Sequence, residues 1–330
     1  MKTSQTIYLG VNMNFAKYVY GHKEALHIAR KKIGAYYVEM VPDIDYGPVF
    51  FACSPHQFRA YHREVRAYAE SIGVRIPSIL TFYRDNVSVT HSSHEIREHA
   101  FTSMRAMAAQ AGCLGCDVVG ASFGTILVDD MDIQEECIEA GIGYWQRWLQ
   151  LLHREGVKKA TLETMSTLRE PPATIASAKD LLSRLGEYHR QNSSTTCTPA
   201  LCYDVGHGAA EPERDSDDDI KFTAWFKAFP RDIVHIHLKN TDRDFIQTWP
   251  FTKEYHDIGI IDLNEVAGAI RDYLRAERIY VMVEVPGKRG RLIGERESIR
   301  VNRLSFENAK KAFRDEGFRE DPEDYTWSLA

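Results

Sequence analysis

Four residues in the second half of the chain, Glu163, Asp204, His237 and Glu284, are metal-type ligands, and each stands where an apolar run stops. The runs read LETM at 162–165, CYDVGHG at 202–208, VHIHLKNTDR at 234–243 and VMVEVPG at 281–287. Three carboxylates and one imidazole make a hard, oxygen-rich donor set that suits Mn²⁺ best, with Mg²⁺ or Co²⁺ as alternatives; closed zinc sites usually recruit thiolates, and none of the four is Cys. Singly, each has an ordinary explanation. A Glu at a strand end can cap a helix or pair with a cation, Asp204 can form a turn before glycine, and His235 and His237 alternate on one strand, where a core histidine is common. Their joint occurrence at successive strand ends points to one metal site.

Such a site needs elements that bring the four together. The first half repeats a phrase of helix, glycine and apolar strand, seen in IARKKIGAYYVEM, YAESIGVRIPSIL, MAAQAGCLGCDVVGA and LLHREGVKKATLE. Gly34, Gly73, Gly112 and Gly156 are the expected helix caps, spaced by about one βα unit. The ligands follow one another at about 41, 33 and 47 residues, again one unit per step. With IYLGVNM as a first strand, the count reaches eight strands and about eight helices. This predicts a closed (β/α)8 TIM barrel of the α/β class, with the site at the C-terminal strand ends. LGVNMNFAKYVYG is not a G-x-G-x-x-G loop, which argues against a doubly wound sheet. No Pro-, Gly- or Ser-rich linker divides residues 1–330, so one domain is expected. AAEPERDSDDD at 209–219 reads as a long loop leading into an acidic helix start.

Composition sets the class. A chain of 330 residues with 44% hydrophobic content buries a sizeable core, and a formal charge of −6 argues against a nucleic-acid partner. There is no run of about 18 apolar residues and no signal-peptide pattern at the start, so a cytoplasmic protein without membrane contact is expected. Six irregularly spaced cysteines do not form a disulfide framework.

The order of the motifs resembles the sugar isomerase/epimerase superfamily with the xylose-isomerase-like, AP-endonuclease-type barrel, and in particular the ketose 3-epimerases. There a Glu, a D-x-x-H, an H-x5-R and a final Glu follow one another; here they are Glu163, Asp204 with His207, His237 with Arg243, and Glu284. The resemblance implies that Glu163, Asp204, His237 and Glu284 bind one divalent metal, and that His207 and Arg243 hold substrate oxygens. It implies further that Glu163 and Glu284 form the acid/base pair of a ketose isomerase or epimerase working through an enediolate. The partner is then a small sugar or sugar phosphate, and a homo-oligomer is compatible with the family.

Two departures bear on the substrate. The ketose 3-epimerases carry a substrate-contacting Glu six residues after the strand-five ligand, where this chain has Arg169, with Glu170 one step later; either the loop shifts to present Glu170 to the substrate, or Arg169 replaces that Glu and binds an anion. PGKRGR after Glu284 places Lys288, Arg289 and Arg291 where barrels often bind phosphate, or forms a solvated basic loop. A phosphorylated or carboxylated sugar is therefore expected as readily as a plain ketose. A decarboxylase or lyase acting on a 3-oxo sugar acid uses the same enediolate and stays open. Endonuclease activity lacks the extra His ligands on strands two and three, and a sugar-binding protein without catalysis needs no opposed glutamates. Cys113 and Cys116 form a C-x-x-C without a second pair and are assigned no role. His256 and Asp257 either close over the substrate or cap the next helix. Trp249 and Phe251 either shield the site or pack loop to barrel, and the same holds for Phe15, Phe82 and Tyr83.

Overall fold

A computed structural model describes residues 5–16, 19–42, 54–81, 88–208, 216–245, 247–285 and 295–330. Eight parallel strands run in sequence order around a closed barrel: β1 (Thr6–Asn12), β2 (Tyr37–Met40), β3 (Arg75–Thr81), β4 (Val118–Ala121), β5 (Lys159–Glu163), β6 (Thr198–Asp204), β7 (Ile233–Leu238) and β8 (Arg278–Val283). β8 pairs with β1 and β1 with β2, which closes the ring. The expected (β/α)8 barrel is the fold observed. Among the described residues the helices are α1 (His22–Ile28), α2 (Pro55–Ser71), α3 (His94–Leu114), α4 (Gln134–Arg154), α5 (Ile175–Gln191), α6 (Phe222–Ala228), α7 (Leu263–Tyr273) and α8 (Glu295–Asp315). None of them is long and apolar enough to cross a membrane.

The strands are short apolar runs buried on both faces, as parallel strands under a helical layer must be. Trp145, Trp148, Trp225 and Phe313 are buried in the same hydrophobic core as the strand side chains. The inward positions form layers. At the N-terminal end Tyr8, Tyr37 and Tyr280 fill the barrel, with Tyr8 stacked on Tyr280 at 4.8 Å and edge-on to Tyr37 at 5.1 Å. Gly10 lies above them because a Cβ there would come within 2.3 Å of the Tyr37 carbonyl oxygen. At the C-terminal end the inward residues turn polar: Asn12, Glu39, Ser78, Glu163, Cys202, Asp204, His235 and His237 are all buried.

Three glycines end helical segments as expected: Gly34, Gly73 and Gly156 have φ values of 93°, 72° and 86°. Gly112 does not. It lies inside α3, which runs on to Leu114, and Gly115 takes the left-handed cap at φ 77°. Gly112 instead serves packing, since a Cβ there would meet Glu155 Oε2 at 2.5 Å. A C-terminal hairpin, β9 (Phe318–Glu320) and β10 (Trp327–Leu329), adds an antiparallel edge at Ile7 of β1, and no periodicity in the sequence announced it. Before α6, Ser216 caps a 3-10 turn over Asp217–Ile220, the acidic start expected there.

Candidate metal centre

Glu163 and Asp204 are the last residues of β5 and β6, His237 is the penultimate residue of β7, and Glu284 directly follows β8. Strand register aligns them. Asp204 is the lateral partner of His237, and Glu163 that of Cys202. Neighbouring parallel strands are about 4.8 Å apart, so side chains on one face at one level are brought together. One ligand atom from each of the four lies within 4.8 Å of every other. His237 Nδ1 stands 2.9 Å from Glu284 Oε2 and 3.4 Å from Glu163 Oε1. All four residues are at most 3% exposed.

Three of the converging atoms, Glu163 Oε1, His237 Nδ1 and Glu284 Oε2, are buried without a hydrogen-bond partner, and the fourth, Asp204 Oδ2, meets Lys239 Nζ at 2.8 Å. Orphaned buried acceptors cost free energy, and several aimed at one point are the donor set of a cation site. Three carboxylate oxygens and one imidazole nitrogen fit a hard divalent ion.

The second layer was not anticipated from the sequence, and its hub is Glu39. This carboxylate is fully buried on β2. Its Oε1 accepts from Asn12 Nδ2 at 2.7 Å and lies 2.7 Å from His237 Nε2; its Oε2 accepts from Ser78 Oγ at 3.0 Å and lies 2.6 Å from His235 Nε2. Register places Asn12, Glu39 and Ser78 side by side on β1, β2 and β3. Burial opposes ionisation of Glu39, but His235 and His237 outweigh it and hold the carboxyl well below its usual range. With Nε2–H of His237 given to Glu39, Nδ1 is the nitrogen that faces the cluster. Burial works against a charge on His235 too, yet Cys202 and Glu39 beside it bring it up to about 9. Burial likewise opposes ionisation of Asp204, which His207, Lys239 and His237 hold at about 2. The apolar run YVEM contains one Glu, and that was the signal available for Glu39.

His207 also reaches this end of the barrel. Its Nδ1–H donates to the Thr164 carbonyl at 2.7 Å, and its Nε2 accepts from Lys239 Nζ at 2.6 Å. Arg243 is exposed on the turn after β7. Arg169 is half-buried and donates from Nη1 to the Ile126 carbonyl at 3.1 Å, while Glu170 Oε1 accepts from Thr125 Oγ1 at 3.3 Å; the structure thus docks both on the segment after β4. Lys288, Arg289 and Arg291 lie outside the described residues, as do Phe82 and Tyr83. Phe251 is held in the packing against α8, where its N–H donates to Ser305 Oγ. Trp249 stacks on Tyr255 at 5.2 Å, and Phe15 is core. His256 and Asp257 are exposed, and Asp262, not either of them, caps α7. Cys113 and Cys116 are buried free thiols at the connection into β4.

A family model described as xylose isomerase-like TIM barrel matches residues 29–307. No curated protein matches the chain. Among solved structures, a Rhodospirillum rubrum ATCC 11170 protein provisionally named a xylose isomerase superposes with a TM-score of 0.78 at 16% identity, over 92% of this chain and 99% of its own. D-psicose 3-epimerase from Clostridium cellulolyticum H10 gives 0.67 at 14% identity, over 93% and 99%. An L-ribulose 3-epimerase gives 0.63 at 12%, over 96% and 100%. At these identities the likeness is one of fold.

Proposed function

The chain belongs to the xylose isomerase-like TIM barrel family, and we propose that it is a divalent-metal-dependent isomerase or epimerase of a small ketose or ketose phosphate. The observation that carries this reading is the convergence of four buried donor atoms, three of them carboxylate oxygens, within 4.8 Å at the C-terminal ends of β5 to β8. That two of the solved structures sharing the barrel are named ketose 3-epimerases supports the sugar class. Glu163, Asp204, His237 and Glu284 would hold the ion. When bound there, a divalent cation supplies Lewis-acid charge beside the carbonyl and hydroxyl oxygens of a hydroxy-ketone and so acidifies the C–H between them.

The remaining chemistry belongs to the side chains. One of Glu163 and Glu284 accepts the C–H proton on a carboxylate oxygen; the C–H electron pair becomes a C–C double bond and the carbonyl pair moves onto oxygen. The other glutamate enters the step as the carboxylic acid and gives its proton to the opposite face, which inverts the stereocentre. If a single glutamate instead delivers the abstracted proton to the adjacent carbon, and the hydroxyl proton passes to the former carbonyl oxygen, an aldose results. Glu39 keeps His237 in one tautomer throughout, and Asp204, well ionised at neutral pH, needs no deprotonation before it acts as a ligand.

Deuterium incorporation tests the reading. Mn²⁺-loaded protein in D₂O, given a panel of tetruloses, pentuloses and their phosphates, is expected to exchange one carbon-bound proton of at least one of them, and Glu284→Gln to abolish exchange while the barrel stays folded. Exchange at the wild-type rate in that variant removes Glu284 from the acid/base pair, and exchange by metal-free protein refutes the mechanism.

A further inference from the structure

Lys239 is the one ammonium built into the ligand cluster among the described residues. It directly follows β7, is 8% exposed, and its Nζ stands 2.8 Å from Asp204 Oδ2 and 2.6 Å from His207 Nε2. Space for its stem is made by Gly206, where a Cβ would come within 2.8 Å of Lys239 Cε and 2.9 Å of its carbonyl oxygen. Burying an ammonium is costly, and the surroundings offset that cost only in part through Asp204. An ammonium has three N–H donors. Asp204 and His207 take two, and the third has no partner among the described residues.

His207, by contrast, has both ring nitrogens committed. Nδ1–H goes to the Thr164 carbonyl, which leaves Nε2 unprotonated, and that lone pair receives Lys239. In this arrangement the imidazole orients the ammonium and offers no ring N–H to a ligand. Charge points the same way: Lys239 places a cation beside the ligand carboxylates Glu163, Asp204 and Glu284, so a substrate oxygen that gains charge as its proton leaves meets a positive group there.

We propose that Lys239, oriented by His207, is the donor that contacts the substrate oxygen next to the ligand carboxylates and stabilises the oxyanion formed during proton abstraction. This rests on the isomerase or epimerase reading. The substrate class is then a polyhydroxy ketone that becomes an oxyanion at that carbon, and the best ligand is a planar enediolate mimic.

The test compares Lys239→Met, Lys239→Arg and His207→Asn with the wild type, all loaded with Mn²⁺, whose bound amount is read by electron paramagnetic resonance. Glycolohydroxamate is the enediolate mimic. Lys239→Met is expected to lose roughly 10²-fold in proton-exchange rate and a comparable factor in hydroxamate affinity, the loss typical of one missing oxyanion donor, with KM for the ketose changed by less than about threefold and Mn²⁺ still bound. Lys239→Arg recovers part of the hydroxamate affinity, because a cation is restored. If Lys239→Met keeps exchange and hydroxamate binding within about threefold of wild type, or if only His207→Asn weakens the hydroxamate selectively, the proposal is overturned. Should wild-type protein exchange no proton of any ketose, the isomerase or epimerase reading falls, while the hydroxamate arm still decides whether Lys239 binds an oxyanion.

Discussion

Glu39 Oε1 lies 2.7 Å from His237 Nε2, so a carboxylate on the second strand selects which nitrogen of the seventh strand's imidazole faces the ligand cluster. Removing its charge should loosen the ion without touching a ligand. Glu39→Gln is expected to weaken Mn²⁺ binding by about 10- to 100-fold, the usual range for such supporting partners. Direct Mn²⁺ titration checks this, and unchanged affinity in a folded variant would show that His237 is oriented by other contacts.

The same carboxylate links the barrel interior to pH. His235 is brought from 6.5 to about 9 in the fold, so its contribution to stability is complete below about 6.5 and disappears as the pH rises through 9. That shift corresponds to about 3 kcal/mol. Asp204 is lowered, from 3.8 to about 2, and loses its contribution only as the pH falls through that range, so it is silent above neutrality. Thermal melts of metal-free protein are expected to fall in Tm between pH 6.5 and 9, with a shallower slope in His235→Asn. A wild-type Tm that is flat over this window contradicts the assigned pair with Glu39.

Metal uptake should release a proton. Burial opposes a charge on His237, but Cys202, Glu39 and Glu163 raise it well above the ordinary histidine range, so the proton on Nδ1 must leave before that nitrogen can donate to an ion. Calorimetric titration of Mn²⁺ in two buffers of different ionisation enthalpy, near neutral pH, is expected to give about one proton released per ion, and affinity is expected to rise with pH. Zero release would mean that His237 is already neutral.

Much of this was legible in the sequence because it is carried by strands. The apolar runs and their spacing gave the barrel, and each ligand ended a run, so register alone brought Glu163, Asp204, His237 and Glu284 together. What was not legible depends on side-chain direction across the barrel. Glu39 is a single acidic residue in YVEM and shows its partners only once β2 faces β7. Lys239 reads as an ordinary charge after a strand until Gly206 opens room for it. Gly112 and Gly115 stand three residues apart, and only the length of α3 decides which one caps it.

The C-x-x-C is expected to be silent. Burial and nearby acids push the Cys116 thiol well above its ordinary range, which disfavours the thiolate a metal or redox reaction needs. The Cys113→Ser/Cys116→Ser protein should keep its full Mn²⁺ content and exchange rate; loss of a metal equivalent would place an ion there instead.

The most direct test is anomalous scattering from a crystal soaked in Mn²⁺. One dominant peak is expected, bounded by Glu163, Asp204, His237 Nδ1 and Glu284, and it disappears in Asp204→Asn. No peak at that point, or a dominant peak elsewhere in the barrel, would contradict the proposed metal site.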